Sequence, residues 1–233
     1  MSDAPPRGLR VAAGDDSILV RCSTRADGDF SLEAPSVARA HRRAAFQMGA
    51  WSQLDEVHGT RVRMVSEPGM HDGSTGDALV CTVRGAALAI WVGDCAPLAL
   101  VADGGVIGGC HAGWRGALDG VVEKTVEAMR AVGAAGPITA YLGPCIHGCC
   151  YEFGPDLLAG FVDRFGPQVA ASTTWGTPSL HMPSVIEQAA VEVGVVVDHS
   201  LSECTACHPD RRFSHRRGDT ARQVVTITRT AAA

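Results

Sequence analysis

Three side chains in this sequence, His58, Cys95 and His111, combine residue types and surroundings suited to chemistry. Each stands in a glycine-rich, turn-like context at the edge of an apolar run: Val57-His58-Gly59, Gly93-Asp94-Cys95-Ala96-Pro97 and Gly109-Cys110-His111-Ala112-Gly113. Two imidazoles and one thiolate suit a tetrahedral metal, and three protein ligands leave a fourth position open, which separates a catalytic zinc site from a structural one. Spacing alone does not make residues so far apart in the chain converge. The string from Gly109 to Gly116, ending in Trp114-Arg115-Gly116, is too unusual in composition for generic core packing and points to an enzyme. Its glycine-rich turn from strand to helix would turn backbone N–H groups toward an anion such as phosphate, and Arg115 adds a planar fork of donors. Plainer roles compete at each position: an inert buried thiol for Cys95, a structural imidazole for His111, a surface ion pair for Arg115.

A second arrangement of ligand-type residues is Cys204-Thr205-Ala206-Cys207-His208, which matches the pattern for covalent c-type haem attachment. That reading is set aside, because such attachment needs an exported chain and the sequence carries no export signal. A second metal site joining these cysteines to Cys145, Cys149 or Cys150 is disfavoured by unequal spacing and by the lack of a partner CxxC. His41, His71, His181 and His199 have no motif around them and read as surface or hydrogen-bonded residues.

The elements that must position the candidate site are short. Ile18 to Arg21 opens the first sheet, and Ser36 to Gly49 reads as a helix stopped by glycine. The runs 78–83, 87–92, 98–102 and 106–110 are too short for helices and rich in Val, Ile and Leu, so they predict a buried sheet. After His111, Leu118, Val121, Val122, Val126, Met129 and Val132 share one helical face, with Gly133 near the stop. Thr139 to Leu142 is a further strand, and Pro155 to Phe165 and Pro183 to Val193 are helices with proline in the first turn. Val195 to Val197 and Val224 to Thr228 close the sheet. No repeat, linker or compositional break divides the chain, so the expectation is one α/β domain over residues 1–233.

Composition narrows the class of partner. A formal net charge of -5 gives no basic footprint for nucleic acid, and a small-molecule substrate is the better expectation. With 46% hydrophobic residues the chain can bury a sizeable core. No apolar stretch approaches the ~18 residues needed to cross a bilayer, and Met1 to Arg10 is polar and proline-containing, so neither a membrane span nor a signal peptide is expected. Nine cysteines, an odd number without an export signal, predict reduced thiols in a cytoplasmic protein. The oligomeric state is not encoded in any of these features.

The segments Glu56-Val57-His58-Gly59-Thr60-Arg61-Val62, Asp77-Ala78-Leu79-Val80, Gly93-Asp94-Cys95-Ala96-Pro97, His111-Ala112-Gly113-Trp114-Arg115-Gly116, Gly143-Pro144-Cys145-Ile146 and Tyr151-Glu152 together resemble the YfiH-like family. Its members are also called laccase-domain or polyphenol-oxidase proteins, peptidoglycan editing factors and multifunctional purine nucleoside phosphorylases. The resemblance runs in family order from about Ser23 to Arg217. It implies a layered α/β/β/α sandwich with mixed sheets and one zinc held by His58, Cys95 and His111. It also implies phosphorolysis of adenosine, inosine and methylthioadenosine, and deamination of adenosine through water activated at the open metal position. Gly113, Trp114 and Arg115 would then meet the substrate, with Arg115 positioning and neutralising phosphate, while Asp94 and Glu152 are the candidates for proton transfer.

Alternatives within the resemblance are a hydrolase that edits peptidoglycan precursors, a non-catalytic relative that keeps its metal for stability or partner binding, and a weak polyphenol oxidase using one copper(II), since a His/Cys site for zinc also accepts copper. A multicopper centre is disfavoured, because the chain has nine histidines and no His-x-His pair. The sequence departs from the family pattern at Glu56, where glutamine is usual, at His147 in place of glycine and at His215 in place of tyrosine. Its N-terminal loop is also short, Ser31-Leu32-Glu33 running almost directly into the first helix.

Overall fold

Two mixed sheets, packed face to face and flanked by helices on both outer sides, account for the architecture of the computed structural model, which describes residues 7–232. The strands are β1 (Gly8–Ala13), β2 (Asp16–Cys22), β3 (Ala50–Gln53), β4 (Val62–Val65), β5 (Ala78–Cys81), β6 (Ala86–Val92), β7 (Ala96–Ala102), β8 (Ile107–Ala112), β9 (Ile138–Leu142), β10 (Ala170–Ser172), β11 (Pro178–Leu180), β12 (Val195–Asp198) and β13 (Gln223–Ala231). The helices are α1 (Ser36–Phe46), α2 (Trp114–Leu118), α3 (Val121–Ala131), α4 (Pro155–Phe165) and α5 (Met182–Glu192). One sheet runs β1-β2-β13-β6-β3 and the other β12-β9-β7-β8-β5-β4, with β10 and β11 forming a separate antiparallel pair. Each large sheet is antiparallel except at its ends, where β3 joins β6, β4 joins β5, and β12 joins β9 in parallel. The expected α/β/β/α layering is what the chain adopts.

Alternation along the strands explains the layers. In β5, Ala78 and Val80 face the helices while Leu79 and Cys81 face the opposite sheet; in β7, Leu98 and Leu100 point one way and Ala99 and Val101 the other. Both faces are buried, so these strands read as continuous apolar runs rather than as alternating ones. Between the sheets lie Ile18, Val20, Leu79, Leu88, Ile90, Ile107, Val225 and Ile227, all inaccessible to solvent. Each such branched side chain contributes about 1.5–3 kcal/mol through burial. On the outer side of the first sheet, Phe30, Phe46 and Trp51 make a small aromatic core under α1. Phe30 stacks on Trp51 at 5.9 Å between ring centroids.

Two glycines on β8 set the spacing of the layers. A Cβ at Gly108 would lie 2.9 Å from the Met129 sulfur on α3, and one at Gly109 would lie 3.1 Å from Ile90 Cδ1 in the other sheet. Both faces of β8 therefore approach their neighbours backbone-close, and this strand delivers His111 at its end.

The element pattern differs from expectation in a few places. The single helix expected after His111 is broken at Asp119-Gly120, where Gly120 takes a left-handed conformation (φ 89°) and α3 starts afresh. The first helix stops at Phe46, three residues before Gly49. β1, β3, β4 and the β10–β11 pair were not expected as strands; β1 alternates, with Leu9, Val11 and Ala13 packed on the inter-sheet core, while Ser52 and Gln53 of β3 are buried polar residues. Among the described residues no helix is long and apolar enough to cross a membrane. Of the polar segment Met1 to Arg10, the first six residues lie outside the described residues, as does Ala233.

Candidate metal centre and its cleft

His58 lies in the loop between β3 and β4, Cys95 immediately before β7, and His111 near the end of β8. The fold brings them together: their ligand atoms all fall within 4.8 Å of one another. Cys95 Sγ is 3.6 Å from His58 Nε2, and the two imidazoles meet edge to face with centroids 4.9 Å apart. For Zn–S near 2.3 Å and Zn–N near 2.0–2.1 Å, tetrahedral geometry requires an S···N separation of about 3.6 Å. The donor set and its spacing fit one tetrahedral ion with an open position.

Asp77 holds two of the three donors. It is fully buried, its Oδ1 accepts from the backbone N–H of Val57 (3.1 Å) and His58 (2.7 Å), and its Oδ2 accepts from Gly59 N–H (2.9 Å). These bonds fix His58 in the left-handed region (φ 60°), an uncommon conformation for a residue other than glycine. The same carboxylate accepts from His111 Nδ1 at 3.1 Å, leaving Nε2 as the free donor atom toward Cys95. A carboxylate behind a ligand imidazole fixes its tautomer and raises its basicity. The motif containing Asp77 was visible in the sequence, but nothing in its spacing announced this role.

The glycines of the His111 motif serve close approach. A Cβ at Gly113 would sit 2.5 Å from His58 Cδ2 and 3.4 Å from Cys95 Sγ, and one at Gly116 would sit 2.7 Å from the Gly59 carbonyl. Gly113 is thus a wall of the centre. Trp114 turns away into the helical layer against Phe153 and Phe161. Arg115 is exposed and stacks on Trp114, its guanidinium carbon 4.1 Å from the ring centroid. Because α2 has five residues, its backbone dipole is small and an anion here would rely on the Arg115 guanidinium.

The charges of the centre are mutually dependent. Burial pushes the Cys95 thiol up, but His111 and His58 beside it prevail and bring it down to about 6, favouring the thiolate. Burial works against the His111 imidazolium, yet Glu56, Cys95 and Asp77 raise it well above the ordinary histidine value. The Glu56 side chain is 4% exposed, with Oε2 3.8 Å from His111 Nε2. Burial raises its carboxyl to about 8, and its Oε1 accepts from the backbone N–H of Trp91 at 3.1 Å.

A cleft of about 210 Å³ opens over the donors and is lined by Glu33, Glu56, Trp91, Val92, His215 and Arg222 in addition to His58, Cys95 and His111. Two of the departures from the family pattern, Glu56 and His215, therefore face it, as does Glu33 from the shortened loop. Trp91 Nε1 donates to the Leu54 carbonyl at 2.8 Å, which leaves the indole ring as an apolar wall. Arg222 packs flat on Gly93, where a Cβ would lie 2.9 Å from its Cδ.

Asp94 and Glu152, the residues expected to move protons, do not line this cleft. Both carboxylate oxygens of Asp94 are engaged: Oδ1 accepts from Thr205 Oγ1 at 2.5 Å and Oδ2 from Arg216 N–H at 2.7 Å. Its carbonyl accepts from Ile146 N–H at 2.8 Å. These three bonds hold a strained backbone (φ 97°) that aims the adjoining Cys95. Asp94 is placed to position Cys95. Glu152 is exposed, its side chain accepting from Trp175 Nε1 at 3.3 Å and its carbonyl from Arg216 at 3.2 Å. Arg216 also lies over the Tyr151 ring, 5.2 Å from its centroid. Burial and the neighbouring Cys95 and Asp94 raise the Tyr151 phenol, with Arg216 and Arg115 opposing them. Arg216 thus covers a phenol, a contact the sequence spacing does not reveal.

Comparison with known proteins places these features. Residues 30–230 match the family model described as multi-copper polyphenol oxidoreductase laccase. A purine nucleoside phosphorylase from Streptomyces griseus is 37% identical over 198 residues, covering 80% of this chain and 78% of the relative. One from Xylella fastidiosa is 35% identical over 245 residues, covering 97% of this chain and 89% of the relative. Among solved structures, a protein of Neisseria meningitidis has the same fold, with a TM-score of 0.78 at 22% identity over 96% of this chain and 99% of that one. The chain belongs to the multi-copper polyphenol oxidoreductase laccase family, the laccase-domain or YfiH-like family that its motifs resemble.

Proposed function

We propose that this protein is a metal-dependent purine nucleoside phosphorylase acting on adenosine, inosine and methylthioadenosine, with adenosine deaminase activity at the same centre. The observation that carries the reading is the meeting of His58, Cys95 and His111 on the floor of a cleft with an aromatic wall, in a chain whose relatives at 35–37% identity bear the phosphorylase name. Zinc is the ion these donors suit best, and when bound it supplies Lewis acidity at its open position. Copper(II) is the runner-up.

In phosphorolysis an oxygen of phosphate bonds to the ribose anomeric carbon while the glycosidic C–N bond breaks, and the departing purine takes up a proton. Trp91 and Val92 give a flat base an apolar surface. Arg115, exposed on Trp114, and Arg216, over the Tyr151 ring, both outside the lining of the cleft, carry the cationic donors for binding and orienting phosphate. Glu56, buried beside His111 with its carboxyl raised to about 8, is a group in the cleft suited to hold and release a proton near neutral pH. That assignment moves proton transfer from Asp94 and Glu152 to Glu56. The same carboxyl serves the deaminase branch, in which water replaces the exocyclic amine at purine C6.

A multicopper oxidase has less support. Among the described residues, the groups of three or more ligand-type side chains are this His2Cys set and a set of four cysteines, which between them offer two imidazoles, too few for a multicopper cluster. Incubating metal-loaded protein with adenosine, with and without phosphate, separates the readings. Adenine released only with phosphate is expected, together with a slower yield of inosine. Absence of turnover of all three nucleosides, or oxidation of a phenol as the sole activity, would remove the proposal.

A further inference from the structure

Four cysteines outside the lining of the cleft come together in a way the nucleoside chemistry does not use. Cys149 and Cys150 follow β9 in a tight turn closed by the N–H groups of Cys150 and Tyr151 on the His147 carbonyl, both at 3.0 Å. Cys204 and Cys207 belong to the CxxC turn between β12 and β13. The two segments are joined by main-chain bonds from Cys145 N–H to the Glu203 carbonyl (3.2 Å) and from Thr205 N–H to the Cys145 carbonyl (3.0 Å). Their sulfurs all lie within 4.8 Å of one another. Cys149 is 3.7 Å from Cys204 and 3.5 Å from Cys207, and Cys150 is 3.4 Å from Cys207.

We propose that Cys149, Cys150, Cys204 and Cys207 form a second, structural metal centre that binds zinc or a similarly soft divalent cation as a tetrathiolate. Four sulfurs about 2.3 Å from a zinc ion stand about 3.8 Å apart along each tetrahedral edge, close to the three contacts above. A disulfide needs a pair drawn to about 2.05 Å, far closer than any of these three contacts. Hydrogen bonds brace both turns. His147 N–H points at Cys204 Sγ from 3.5 Å, and Arg217 donates to the Thr205 and Ala206 carbonyls inside the CxxC turn at 2.5 and 2.9 Å. Close packing fixes the first turn, since a Cβ at Gly148 would lie 2.8 Å from that of Ala171. Cys207 is exposed and gives an ion a way in.

The sequence reading disfavoured this site because one half of it is a vicinal pair rather than a second CxxC. The turn at His147 compensates by aiming two successive side chains at the same partner. Closing all four ligands leaves no open position, so the role is structural. Its placement says what it supports: Thr205, inside the CxxC turn, donates to Asp94, the residue that aims Cys95.

The test uses the full-length chain with the first centre removed by His58→Ala and Cys95→Ala. Elemental analysis after zinc loading should find about two metals per chain in the unaltered protein and about one in this variant. Cobalt(II) loading of the variant should give the intense red-region and near-ultraviolet absorption of a tetrathiolate. Adding Cys204→Ser and Cys207→Ser should abolish both signals. If those further changes prevent folding, the cobalt spectrum of the first variant decides alone. Absence of metal from the His58→Ala/Cys95→Ala protein, retention of its metal without Cys204 and Cys207, or disulfides among the four thiols in the intact mass would each overturn the proposal.

Discussion

Gly113 shows how narrowly the centre is built at the scale of single residues. Gly113→Ala introduces a methyl 2.5 Å from the His58 ring, and the imidazole must move from its ligand position. Metal affinity is expected to fall by about 10–100-fold with little change in circular dichroism, checked by competition with a chromogenic chelator. Cys95→Ala and His111→Ala should lose the metal of this centre and nucleoside turnover together; elemental analysis beside product assay reads these outcomes. His58, Cys95 and His111 could be singled out in the sequence because each stands at or near an element end among glycines, where backbone can approach closely. Asp77 and Glu56 were harder to assign. A carboxylate in a polar segment looks alike whether it binds an imidazole, caps a loop or faces solvent, and only the closing of the β3–β4 loop onto β5 and β8 distinguishes these. Asp94 illustrates the converse difficulty: a conspicuous acid beside Cys95 accepts from Thr205 and Arg216, contacts that its neighbours in the sequence do not announce.

At the scale of elements, the segment carrying Cys204 to Arg217 is held by a buried ion pair. Glu203 accepts from Arg212 Nε at 2.6 Å and from Arg211 at 2.7 Å, and Arg212, with a side chain 2% exposed, also donates to the Ser23 carbonyl on the first sheet. Arg212→Ala leaves the Glu203 carboxylate with the Arg211 hydrogen bond alone and the Ser23 carbonyl without this donor, and should cost about 1–3 kcal/mol, measured by urea unfolding. Helices α4 and α5 and the four core strands were readable within one to three residues, because apolar periodicity and proline at the helix start are local signals. The break at Gly120 was not, since the apolar face continues across it. β3 escaped notice for a related reason: its buried Gln53 is satisfied by the Phe30 carbonyl and by Arg43, contacts made only in the folded state.

For the molecule as a whole, stability rests on the closeness of its layers. Gly109→Val forces a side chain between the sheets against Ile90 and Ile227, at a cost of about 1–3 kcal/mol. It should lower the melting temperature and disturb His111 two residues on. At the other end of the sheet, Asp16 on β2 ties β13 and the β5–β6 turn together through Arg229 (2.7 Å) and Arg84 (2.6 Å). Burial pushes its carboxyl up, but the two arginines prevail and hold it below the ordinary value of 3.8. The folded state therefore binds this proton less readily than the unfolded chain. The stabilisation is complete above the ordinary value and is lost as pH falls through the lowered one. Melting curves from pH 6 to pH 3 should show a smaller acid loss for Asp16→Asn than for the unaltered protein. The central claim, that nucleoside phosphorolysis takes place at the ion held by His58, Cys95 and His111, is tested most directly by restoring zinc stepwise to metal-free protein while following phosphate-dependent release of adenine from adenosine. The rate should rise with occupancy of that centre in the unaltered protein and stay at background in Cys95→Ala, and undiminished phosphorolysis by metal-free protein or by Cys95→Ala would contradict it.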